Sequence, residues 1–127
     1  MKRLQSIIAA TVIGAAAAMA ASPKATPVDE QYNFGNIKER GGRVSHDFRI
    51  VNTGDKPLIF ISATASCGCT KPIVPKQPVA PGDTGIVSVS YEPIGRPGEF
   101  NKTITVKTNA KPSKVKLRIM GNVIPSK

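Results

Sequence analysis

A chain of 127 residues holds one domain with a modest core and leaves no room for a second. Eleven glycines, eleven prolines and no tryptophan exclude long helices and leave valine, isoleucine and leucine to fill the interior. A formal charge of +10 and a single histidine give a basic exterior and argue against a His-dependent catalytic set.

Lys2 and Arg3 precede an apolar run from Ile7 to Ala20, broken by Thr11 and Gly14 and closed by Ala18-Met19-Ala20. That layout predicts a signal peptide over residues 1–20, cleaved after Ala20. A membrane span needs about 20 apolar residues, and this run is shorter and mostly alanine. No cysteine lies near the cleavage site, so a lipid anchor is not expected. The product is expected in the periplasm or outside the cell, with no membrane span left after cleavage. Residues 21–30 are polar and carry Pro23 and Pro27, which reads as a flexible leader. The folded domain is expected over residues 31–124.

Tyr32 and Phe34 alternate with polar neighbours up to Gly35, a short first strand. Lys38 to Gly42 is a charged turn. Val44, His46, Phe48 and Ile50 then share one face, with Arg43, Ser45, Asp47 and Arg49 on the other. Such strict alternation marks a strand with one buried side. Asn52-Thr53-Gly54-Asp55 turns the chain at residues that tolerate positive φ. Leu58-Ile59-Phe60-Ile61 is a continuous apolar run, so this strand is expected to be covered on both faces.

Prolines at 72, 75, 78 and 81 rule out a central strand or a helix. Residues 71–81 therefore read as an extended crossover with a brief edge strand at Ile73-Val74. Three alternating strands follow, with Val87, Val89 and Tyr91, then Phe100, Ile104 and Val106, then Val115, Leu117 and Ile119 facing inward. The outer face of the last carries Lys114, Lys116 and Arg118, read as a guard against edge pairing. The sum is an all-β, Greek-key sandwich of about seven strands, with a small closed barrel as the alternative. Its core is expected to hold Phe48, Ile50, Ile59, Ile61, Val89, Ile104, Val106, Leu117 and Ile119.

The run Phe48-x-Ile50-x-Asn52-x-Gly54 followed by Pro57-Leu58 resembles the immunoglobulin-like domains of the ASPM/SPD-2/Hydin and major-sperm-protein type. Cys67-Gly68-Cys69-Thr70, with Pro81-Gly82 and Gly98-x-Phe100-x-Lys102, resembles a bacterial, mostly secreted family of unknown function marked by a Cys-Gly-Cys-Thr signature. The resemblance covers residues 34–123. It implies an immunoglobulin-like sandwich and supplies no reaction.

Cys67 and Cys69 are the only cysteines, and three readings stay open for them. On an extended segment residues two apart face the same side, so a disulfide or thiol-redox pair is one. Their Cα atoms would then sit near the upper end of the roughly 4.4–6.8 Å range, with Lys71 placed to lower a thiol pKa. A soft-metal site for Cu(I), with His46 or Met120 as further ligand, is the second. A structural role as small part-buried groups is the third. No catalytic triad can be assembled, because Asp47 follows His46 and points to the opposite face. Gly95 to Gly98 precedes a strand, which excludes a phosphate loop.

The expectation is an exported, non-enzymatic binding or structural module without a cofactor. The alternative is a periplasmic thiol-redox or Cu(I)-handling protein using Cys67 and Cys69. Its partner would be a protein or an anionic polymer. Aromatics are not interleaved with the basic residues, which argues against specific nucleic-acid binding.

Overall fold

The period-two alternation becomes strands throughout. The computed structural model describes residues 21–126, so the expected signal peptide at 1–20 lies outside the described residues. Eight strands run in chain order: β1 (Ala25–Pro27), β2 (Gln31–Lys38), β3 (Val44–Asn52), β4 (Phe60–Ala65), β5 (Thr70–Ile73), β6 (Thr84–Tyr91), β7 (Gly98–Thr108) and β8 (Lys114–Ile124). They form two four-stranded sheets, ordered β1-β3-β6-β5 and β2-β8-β7-β4. All pairs are antiparallel except β2 with β8. The chain crosses between sheets after β1, β2, β3, β4 and β6, which is the immunoglobulin-like sandwich expected.

Register fixes which side chains meet. Phe48 lies opposite Val87 and His46 opposite Val89 on one sheet. Ile104 lies opposite Leu117 and Val106 opposite Val115 on the other. Phe48, Ile50, Val87, Val89, Ile104, Val106, Leu117 and Ile119 are all fully buried. Each such side chain contributes about 1.5–3 kcal/mol through removal from water. Tyr91 of one sheet stacks on Phe100 of the other at 3.9 Å, joining the layers at one end.

Two core expectations are corrected. Ile59 and Ile61 are 45% and 55% exposed, whereas Leu58 is fully buried and Phe60 nearly so. β4 is an edge strand of a two-layer fold, and nothing covers its outer side, so the apolar run obeys period two after all. A bulge between Phe60 and Ser62 also interrupts its pairing.

Strand limits differ too. β2 continues past Gly35 to Lys38 through a bulge between Asn33 and Asn36, where Gly35 takes a φ of +72°. β5 starts at Thr70, earlier than the edge strand placed at Ile73-Val74. β8 lies between β2 and β7. Yet β2 pairs with it only from Arg118 onward, so the reading as an edge guard holds for Lys114 and Lys116, whose stretch of β8 has no neighbour on that side, and fails for Arg118.

The stretch read as a flexible leader supplies β1, which pairs with β3 from Ala25↔Asn52 to Pro27↔Ile50. Polarity alone hid the docking partners. Asn52 is fully buried, and its Oδ1 accepts from the Lys24 and Gly54 N–H groups at 3.3 and 3.0 Å. Gly54 is needed for space. It is not among the positive-φ glycines, but a Cβ there would collide with the Ser22 carbonyl oxygen and come within 2.7 Å of the Lys24 nitrogen. Gly54→Ala is therefore expected to dislodge residues 22–27 at a cost of about 1–3 kcal/mol. Hydrogen exchange at the Lys24 and Val28 amides should accelerate; unchanged protection there would contradict the docking.

Candidate functional site

β4 ends at Ala65 in one sheet and β5 begins at Thr70 in the other. The four residues between them are the Cys-Gly-Cys segment with its preceding serine. Ser66 anchors the departure, donating its N–H to the Thr103 carbonyl at 3.1 Å while its Oγ accepts from the Thr103 N–H at 3.2 Å. Thr70 N–H donates back to the Cys67 carbonyl at 3.2 Å, which closes a turn. On arrival the Cys69 carbonyl accepts from the Glu92 N–H at 2.9 Å, and Thr70 pairs with Tyr91.

The motif is thus a turn, not the extended segment expected. The curl sets the Cys67 and Cys69 Cα atoms 5.3 Å apart, in the middle of the span a disulfide bridges rather than near its upper end. Cys69 is 2% exposed and Cys67 half-buried against the core. The Cys69 N–H donates to Cys67 Sγ at 3.1 Å. Thr70 Oγ1 sits 3.6 Å from Cys69 Sγ and 3.9 Å from Cys67 Sγ. Gly68 is exposed, and a Cβ there would meet nothing within 4 Å. Its positive-φ freedom is unused, and the space around it is open beside the part-exposed Cys67, whereas Cys69 stays buried.

The other candidates lie elsewhere. His46 stacks on Tyr32 at 3.8 Å and places Nε2 3.3 Å from Asp29 Oδ2. It sits on β3, two strands across from β5, and the structure does not bring it to the cysteines. Met120 lies on β8 of the opposite sheet. Lys71 is exposed on the outer face of β5 opposite Ser90, whereas Thr70 beside it is buried. Among the described residues no group of three or more His, Cys, Asp or Glu side chains is placed to hold a metal, and no helix is long and apolar enough to cross a membrane.

Tyr91 was read only as core. Burial raises its phenol above the usual pKa, and Arg96 opposes this as the smaller effect. Asn52 was read only as a turn residue. Its place in the alternating series Phe48, Ile50, Asn52 was the available signal, since asparagine is depleted from strands.

A family model described as a protein of unknown function (DUF1573) matches residues 26–123. A search of curated proteins finds no match. Among solved structures, a protein of unknown function from Porphyromonas gingivalis W83 is 14% identical with a TM-score of 0.68, over 83% of this chain and 50% of that one. The ASH/PapD-like domain 7 of human CEP192 is 11% identical with a TM-score of 0.67, over 96% of this chain and all of that one. The Vibrio cholerae VesB protease is 17% identical with a TM-score of 0.58, over 77% of this chain and 31% of that one. The chain thus spans half the length of the Porphyromonas protein and under a third of the protease. At these identities the likeness is one of fold.

Proposed function

Since the chain belongs to the DUF1573 family of proteins of unknown function, we propose that it is an exported, non-enzymatic binding or structural module whose Cys67–Cys69 pair is oxidised and clamps a crossover. The observation that carries this is the turn from Ser66 to Thr70, which joins the two sheets and sets the Cα atoms 5.3 Å apart. Every polar contact of the sulfurs is internal to that turn. A clamp there fixes the angle at which the chain leaves one sheet for the other. Export supplies the oxidising conditions it needs. The similarity to a PapD-like domain supports a module that meets other proteins or polymers through its surface.

Exchange of both cysteines for serine tests the clamp. So short a loop removes little entropy from the unfolded chain, so the cost is expected near 1.5 kcal/mol, with the fold retained. Mass measurement after alkylation should find no free thiol in the aerobically purified protein. Two free thiols, or a loss above about 3 kcal/mol, would overturn the clamp. A second reading, thiol exchange, is favoured by one observation: the open surroundings of Gly68 beside the half-exposed Cys67. Reduction by mild dithiothreitol would select that reading, because inert structural disulfides resist it.

A further inference from the structure

We propose that the outward face of the β2-β8-β7-β4 sheet binds an acidic polysaccharide; this rests on reading the chain as a binding module and names its ligand. The alternation that buries Val115, Leu117 and Ile119 turns Lys114, Lys116 and Arg118 outward. Register sets Lys107 of β7 directly opposite Lys114. All four cations are exposed, and among the described residues none has a carboxylate within 4 Å. Like charges directly opposite one another destabilise a sheet. Lysines on edge strands deter pairing, which accounts for Lys114 and Lys116 where β8 runs on beyond β2, but not for Lys107 or Arg118, which have paired strands on both sides. A bound polyanion relieves the repulsion.

The other end of the same face has different chemistry. Asn33, Asn36, Asn101 and Asn122 line an open depression of about 540 Å³ floored by Gly35 and Gly121, with the exposed Glu99 carboxylate at its side, so this end suits the hydroxyls of a polymer and not its carboxylates. Asparagine is depleted from strands, and four converge here. Asn33 accepts from the Gly35 N–H at 2.7 Å, and Asn122 donates to Asn36 at 3.2 Å. The Asn101 side chain has no hydrogen-bond partner among the described residues. An amide offers a donor and an acceptor side by side, which suits the hydroxyls of a sugar ring.

From Lys114 to Asn122 the face extends about 27 Å at 3.4 Å per residue, a length for a polymer and not for one sugar. Between those residues Met120 is the one apolar side chain turned outward on β8. Phe100, the aromatic that borders the depression, is 7% exposed and offers a base no stacking platform, and the exposed Ile59 and Ile61 lie at the β4 margin of the face, apart from the depression. A polymer with both carboxylates and hydroxyls matches cations at one end and amides at the other.

The test is equilibrium binding of the chain purified from its host to polygalacturonate, with dextran, polyglutamate, single-stranded DNA and phosphatidylglycerol vesicles as comparison probes. Polygalacturonate should bind tightest at physiological salt, and dextran weakly. Lys114→Gln with Lys116→Gln should weaken it about tenfold, well beyond the effect of Lys24→Gln with Lys76→Gln, which removes equal charge elsewhere. Asn101→Ala should weaken polygalacturonate and leave polyglutamate unchanged, with melting lowered in none of the variants. Equal or tighter binding of polyglutamate, DNA or vesicles overturns the proposal, as does Asn101→Ala without effect. Polyglutamate held by the same lysines would leave the binding-module reading standing while this ligand class falls; no binding to any probe would overturn the proposal as well.

Discussion

Phe48→Ala is expected to lower stability by about 3–5 kcal/mol, more than any surface change. The ring is fully buried at the centre of β3, opposite Val87 and edge-on to His46 at 4.6 Å. Its removal opens a cavity that neither sheet can close, because both are fixed by register. Ile61→Ala is the matching control. That side chain is 55% exposed, so its loss should stay within about 0.5 kcal/mol. Urea denaturation of both variants, with unchanged slopes, measures the difference. Similar losses at the two positions would mean that the β4 faces are assigned the wrong way round.

The second large effect is expected at Asn52. Its Nδ2 donates to the Lys56 and Val79 carbonyls at 2.7 and 2.9 Å, and its Oδ1 accepts from Lys24 and Gly54. One buried amide therefore ties the turn after β3, the approach to β6 and the N-terminal segment. Alanine leaves these groups without partners in a site closed to water, at roughly 1–3 kcal/mol for each that stays unsatisfied. A total on the order of 3 kcal/mol is expected after relaxation. Asn52→Asp should cost as much at neutral pH, because a carboxylate only accepts and cannot serve the two carbonyls. Full stability in Asn52→Asp would show that the donated bonds do not matter.

Strands β3, β6, β7 and β8 were legible because each buries one face and therefore alternates. The Leu58–Ile61 run misled for the opposite reason. Four apolar residues in a row carry no parity, and only Leu58 pairing with Val79 decides which go inside. β1 was hidden because its stability comes from Asn52 and Gly54, some 25 residues away, and not from its own side chains. The Cys-Gly-Cys segment was found at once by residue type. Its shape was not, since the turn depends on Thr70 and on Thr103 from another strand. The motif Phe48-x-Ile50-x-Asn52-x-Gly54 has a physical content that its spacing does not reveal. Two positions fill the core, one satisfies buried backbone, and one makes room for a neighbour.

The parallel pairing of β2 with β8 bears on when this molecule can fold. Gln31 to Lys38 find their partners in Arg118 to Ile124, nearly a chain length later. As the polypeptide emerges from its amino end during synthesis, β2 has no neighbour until the last strand has followed it. β7, likewise, lacks its longest partner until then. That sheet of the sandwich is therefore completed only when synthesis is nearly finished. Such long-range closure places the protein among slow folders.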